Sequence, residues 1–169
     1  MFNLMLVRHA KSDWHARKSD FDRPLSKRGS EDARRMGIYM NQQGLIPDCM
    51  VVSGARRAKE TAHLMLEALT VSEKNVIYDK ELYLADLETL QEVIEVYASS
   101  NKRLLLLAHN PGMDGLVSYL SSEPPGLTES GKLMVTCAVA CFSFDSVKDI
   151  RKPGKGRLEC LLRPKEIFK

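Results

Sequence analysis

The run Arg103-Leu104-Leu105-Leu106-Leu107-Ala108, followed at once by His109-Asn110-Pro111-Gly112, decides how this chain folds. Six residues are too few for a buried helix, and four consecutive leucines leave no polar face. Such a run fits a strand covered on both sides, at the centre of a parallel sheet. Leu4 to Val7 and Cys49 to Val52 read the same way, and Val76 to Tyr78 as a further short strand. Between them lie helical periodicities. Ser26 can cap a helix whose Ala33, Met36, Gly37 and Met40 share one face and which Gly44 and Pro47 stop. Ala58, Ala62, Met65, Leu66 and Leu69 mark a second helix, Leu87, Leu90, Ile94, Tyr97 and Ala98 a third, and Leu116, Val117 and Leu120 a fourth. Beyond the Pro124-Pro125-Gly126 turn, Val135, Cys137, Val139 and Cys141 alternate with Thr136, Ala138 and Ala140, which predicts a strand over that span. Gly156 to Arg163 can pair with it as an edge. The sum is an α/β three-layer sandwich, a mostly parallel central sheet flanked by helices.

A length of 169 residues sets one domain, 1–169, able to bury roughly 70% of its unfolded surface. With 44% hydrophobic and 28% charged residues, disorder and coiled coil are excluded. The net charge of +3 is far below that of a nonspecific nucleic-acid binder, so no nucleic-acid partner is expected. No segment reaches the roughly 18 apolar residues of a membrane span, and Met1 to Val7 runs into Arg8-His9 without a signal-peptide pattern. Cys49, Cys137, Cys141 and Cys160 lack metal-binding spacing, and reduced, buried thiols point to a cytoplasmic protein.

In parallel α/β sheets, ligands bind beyond the carboxyl ends of the strands. Arg8 and His9 follow the first strand, Ser53 to Thr61 with Arg56 and Arg57 the second, and His109 the leucine strand. Two guanidiniums and two imidazoles meeting at one point would hold a tetrahedral oxyanion, because arginine presents forked donors matched to phosphate oxygens. His15 and His63 read as exposed bystanders. Trp14 reads as a packing anchor, with a lid contact as the alternative.

Taken together, these blocks resemble the histidine phosphatase superfamily. Its strand-ending Arg-His-Gly stands here as Arg8-His9-Ala10, its second block as Ser53-Gly54-Ala55-Arg56-Arg57-Ala58-Lys59-Glu60-Thr61-Ala62, and its third as His109-Asn110-Pro111-Gly112. With Asp22-Arg23-Pro24-Leu25-Ser26 and Gly29, the chain is similar to the SixA group of protein-phosphohistidine phosphatases from Leu4 to about Leu120. Ala10 and Gly54 replace a family glycine and proline, altering backbone detail and leaving the charged atoms intact.

The resemblance implies a phosphoglycerate mutase-like fold, His9 as the nucleophile that becomes phosphorylated, and Arg8, Arg57 and His109 as holders of the phosphoryl oxygens. Ser12 and Arg23 are expected to assist phosphate or substrate binding. Neither metal nor cofactor is implied. The partner is a phosphorylated protein, such as a histidine phosphotransfer domain, and inorganic phosphate is the product. A proton donor for the leaving group is harder to place: Asn110 cannot serve, Glu81 occupies the expected segment, and Asp20 and Asp22 are alternatives. Imidazole, with a conjugate-acid pKa near 6.5, leaves more readily than an alkoxide, so an imperfect acid suits a P–N bond. A phosphomonoesterase of small metabolites and a non-catalytic phosphate reader are the competing expectations.

Overall fold

Leucines 104 and 106 face one hydrophobic core, and leucines 105 and 107 face another. This two-sided burial fixes the strand at the middle of the sheet, as the leucine run predicts. The computed structural model describes all of residues 1–169. Its strands are β1 (Phe2–Arg8), β2 (Cys49–Ser53), β3 (Val76–Asp79), β4 (Arg103–Ala108), β5 (Val139–Phe144) and β6 (Arg157–Leu162). They form one sheet in the order β3-β2-β4-β1-β5-β6. β4 pairs in parallel with β1 and with β2, β3 is parallel to β2, and β5 runs antiparallel to both β1 and β6.

The helices are α1 (Lys27–Gln42), α2 (Arg56–Leu66), α3 (Leu87–Ala98), α4 (Gly112–Leu120) and the single turn α5 (Pro164–Ile167). α3 and α4 cover one face of the sheet, α1 and α2 the other. Ser26 caps α1 by accepting the Gly29 N–H at 3.0 Å, and Gly44, at φ 70°, ends it. α1 and α2 pack closely because position 37 is glycine: a Cβ there would lie 2.7 Å from the Met65 carbonyl oxygen. All of residues 67–102 go to β3, α3 and short connections, and α3 lies against β4 and α4.

One expected strand is displaced. The alternation from Val135 predicts pairing from that residue, whereas β5 starts at Val139, opposite Val7. Residues 135–138 turn instead, with Cys137 at φ 63° and its N–H directed at the carbonyls of Arg8 and His9, both at 3.1 Å. The alternation misleads because β5 is buried on both faces and carries no polar side to set its limits. Cys160 is half-buried, unlike the other three thiols. No helix is long and apolar enough to cross a membrane.

Leu106 is fully buried against both β1 and β2 neighbours, so Leu106→Ala should cost about 2–5 kcal/mol. Exposed Leu127→Ala should stay within about 0.5 kcal/mol. Urea denaturation of both variants measures the contrast, and equal losses would contradict the assignment of Leu106 to the core.

Candidate active site

Parallel pairing sets Arg8 beside Ala108 and Val52 beside Leu107, so the ends of β1, β4 and β2 are level. His9, His109 and Ser53 therefore emerge together. The His9 and His109 rings are 5.0 Å apart between centroids. His9 Nδ1 lies 2.8 Å from the carbonyl oxygen of Ala10. A carbonyl only accepts, which assigns the ring proton to Nδ1 and leaves Nε2 unprotonated, with its lone pair in the ring plane. Arg57 Nε donates toward that lone pair at 3.4 Å. Burial lowers the His9 pKa to about 3, and the neighbouring His109, Arg57 and Arg8 push the same way. Burial is the larger cause. The ring is neutral throughout the physiological range, its Nε2 lone pair available for attack.

Arg57 comes from the first turn of α2, which is locked to the end of β1. Thr61 Oγ1 accepts the Ala10 N–H at 3.0 Å and donates to the Arg57 carbonyl at 2.7 Å. Arg8 donates from Nη1 to the Met134 carbonyl at 3.0 Å, and its buried Nε has no partner. Asn110 joins it, donating from Nδ2 to the same carbonyl, while Asp114 accepts the Met134 N–H. Asn110, unable to donate an acidic proton, thus ties the loop before β5 to the Arg8 side of the pocket. His109 Nε2 meets Ser53 Oγ at 2.7 Å, and Ser53 Oγ itself takes the Ala55 N–H. His109 Nδ1 is buried and unpartnered, and it carries the ring proton when the Ser53 hydroxyl donates to Nε2. Burial brings the His109 pKa to about 4. Arg8 Nε, a free buried donor, and the unpartnered His109 Nδ1 accompany the unprotonated His9 Nε2, an arrangement able to hold a tetrahedral oxyanion.

The structure brings His9, Arg8, Arg57 and His109 together and sets the other named residues further out. Ser12 and Arg23 are buried and bonded to each other, Arg23 Nε to Ser12 Oγ at 2.9 Å, without touching His9. Arg23 reaches the centre through Asp20, which it meets at 2.7 Å. Asp20 in turn binds Arg57 twice, through its carbonyl at 2.6 Å and its carboxylate at 3.2 Å. Tyr83 completes the group, donating its hydroxyl to Asp20 while its ring lies nearly perpendicular to that of His109, with 5.5 Å between centroids. The Tyr83 hydrogen bond, with those of both arginines, brings the Asp20 pKa to about 2. Asp22 is exposed and engages only Ser19.

Glu81 is a correction. Its carboxylate is exposed and bonds to no pocket residue, because the turn Lys80–Leu82 buries Leu82 and leaves Glu81 outside. Tyr83, two residues on, is the side chain that enters. No motif marks it, and sequence reasoning missed it. Trp14 is 74% exposed with the Arg23 guanidinium 3.7 Å over its ring, so it is no core anchor. His15 and His63 are exposed, as expected. No three His, Cys, Asp or Glu side chains cluster as metal ligands.

Residues 4–95 match the family profile of the histidine phosphatase superfamily, branch 1. The chain belongs to the histidine phosphatase superfamily. An uncharacterized chloroplastic protein of Arabidopsis thaliana is 31% identical over 95% of this chain and 77% of its own length. The uncharacterized phosphatase PhoE of Bacillus subtilis is 26% identical, over 81% of this chain and 86% of PhoE. Among solved structures, the protein histidine phosphatase SixA complexed with tungstate superposes with a TM-score of 0.80 at 22% identity, covering 98% of this chain and 99% of SixA. A SixA-type phosphohistidine phosphatase described as putative, from Agrobacterium tumefaciens, gives 0.78 at 24% identity, over 96% and 98%. These superpositions establish the phosphoglycerate mutase-like fold. Family membership sets the activity class, a phosphatase and hence a hydrolase.

Both pocket histidines have folded pKa values below the free-imidazole value of 6.5. Between about pH 3 and 6.5 the unfolded histidine phosphatase binds more protons than the folded one. Stability is therefore full above pH 6.5 and falls as the pH drops, by about 1.4 kcal/mol per pH unit for each histidine kept neutral. His9→Gln should flatten that dependence between pH 6.5 and 4.5, measured by urea unfolding at several pH values. A variant as acid-sensitive as the parent would contradict the buried, neutral His9.

Proposed function

We propose that this histidine phosphatase hydrolyses phosphohistidine on a protein, of the phosphotransfer-domain type, through a phosphohistidine formed on its own His9. His9 Nε2 attacks phosphorus in line. The P–N bond of the substrate breaks, and water then releases inorganic phosphate from His9 in a second displacement. Arg57, with the free donors Arg8 Nε and His109 Nδ1, holds the equatorial oxygens and stabilises the charge that spreads over them. No metal enters this mechanism. Tungstate, a tetrahedral oxyanion like phosphate, is the group bound to SixA in its solved complex, which supports the same use of this pocket.

The observation that carries the choice of substrate is the state of the carboxylates. An alkoxide leaving group needs a proton donor, yet Asp20 is held ionised by Tyr83, Arg23 and Arg57, and the Glu81 carboxylate stands outside the pocket. A leaving imidazole makes the smaller demand. The rim gives a second support. Trp14 and Leu84 present exposed apolar surface, and Phe21 stacks edge-on against Tyr83, a border suited to the surface of another protein.

A panel of a phosphohistidine protein, a phosphoserine peptide and small phosphomonoesters tests this reading. The phosphohistidine protein should be turned over with the highest kcat/KM, and alkaline quenching should trap phosphate on His9. His9→Ala should lose activity by ~10³ or more. Glu81→Gln should fall well short of the ~100-fold loss that removal of a general acid brings. A preference for sugar or nucleotide phosphates, together with a Glu81 requirement, would favour the metabolite phosphatase. Binding of phosphoprotein without labelling of His9 would favour the reader.

A further inference from the structure

His9 does not carry its proton on the nitrogen that would bond phosphorus. The proton sits on Nδ1, fixed by the Ala10 carbonyl at 2.8 Å. When phosphorus later departs from Nε2, the ring is left as neutral imidazole and needs no proton at that moment. The substrate's phosphohistidine faces the same requirement from the other side of phosphorus. In-line displacement places its ring opposite His9, toward solvent, and there its second nitrogen needs an acceptor.

Asp20 supplies a carboxylate on the solvent side of the pocket, bound to the same Arg57 whose Nε meets His9 Nε2. Its side chain is 46% exposed, against 4% for Arg57. A carboxylate offers about four acceptor positions. Oδ2 is taken by Tyr83 and Arg57, whereas Oδ1 receives Arg23 alone, leaving an accessible acceptor position. His109 is the other titratable group near it, and is neutral. Held as an anion, Asp20 can accept a proton-bearing nitrogen but cannot supply a proton.

We propose that the Asp20 carboxylate accepts a hydrogen bond from the free ring N–H of the substrate's phosphohistidine, keeping that ring protonated so that its P–N bond breaks without a separate acid. The new bond is His9 Nε2 to phosphorus. The electron pair of the old P–N bond returns to the substrate nitrogen, and the ring leaves neutral because its proton is already on the other nitrogen. Asp20 begins and ends as a carboxylate. With an alcohol as leaving group, the same anion faces developing negative charge and opposes the reaction. Asp20 thereby acts as a catalytic residue for P–N bonds and a discriminator against phosphate esters.

This inference rests on the phosphohistidine reading, and a comparison of two substrates separates the fates of both. Parent, Asp20→Asn and Asp20→Glu proteins are assayed on a phosphohistidine peptide and on p-nitrophenyl phosphate across pH. Asp20→Asn should lose ~10- to 100-fold in kcat/KM on the peptide, with an alkaline limb shifted to lower pH, while its activity on the aryl ester rises as a competing anion leaves Arg57. Asp20→Glu should recover part of the peptide activity. If the parent does not cleave the peptide, the functional reading itself fails. If the parent cleaves it and Asp20→Asn falls equally on both substrates, Asp20 merely positions Arg57 and the inference is overturned.

Discussion

Parallel pairing of β4 with β1 on one side and β2 on the other is the constraint from which the site follows. Residues equivalent in height along the sheet end at one level, so Arg8-His9, Ser53 and His109, far apart in the chain, leave the sheet within one small volume. The pairing is held by leucines that fill both cores alternately, and each fully buried leucine contributes about 1.5–3 kcal/mol. A shift of one residue would exchange the two faces of β4. It would also lift His109 away from His9, so that packing and chemistry are fixed by the same register.

What the sheet assembles is costly to the folded state. Two buried nitrogens, Arg8 Nε and His109 Nδ1, have no partner, and an unsatisfied buried donor costs about 1–3 kcal/mol. Two imidazoles are kept from protonating in a pocket that also holds two buried or half-buried guanidiniums. The surrounding structure offsets this with a dense scaffold: Thr61 joins α2 to the end of β1, and Asn110, Asp114 and Met134 join α4, the loop before β5 and Arg8. Neither network touches His9 Nε2, which meets only Arg57 Nε. They hold the donors where an oxyanion would satisfy them, which is electrostatic preorganisation in its plain sense.

Much of this was legible in the sequence because it depends on short-range signals. The leucine run, the Ser26 cap and the Arg8-His9 and His109 strand ends each state a local requirement that the fold then meets. Where the signal was not local, reading failed. The limits of β5 were hidden because a strand buried on both faces has no polar alternation, and only the Cys137 N–H capping Arg8 and His9 explains the turn before it. Glu81 fits a sequence pattern, yet one turn of 3-10 helix directs it outward and admits Tyr83. The sequence offers Asp20 only as an alternative proton donor, because no motif marks it: its place as an anion is created by Arg57, Arg23 and Tyr83, which come from three separate segments.

That assembly also changes the meaning of the net charge. A surplus of +3 spread over the surface would be screened within about 8 Å at physiological salt and would guide little. In the pocket the charges are few and shielded. Arg8 and Arg57 face a His9 kept neutral by burial, while Asp20 balances Arg57 and Arg23 further out and Asp114 lies near Arg8. Negative charge arriving at the centre meets fixed, dehydrated donors. Negative charge developing further out meets the Asp20 anion instead. On the proposed path past Asp20, a field that reverses sign would treat the transferring phosphoryl group and the leaving group oppositely, disfavouring departing anions and favouring departing neutral groups.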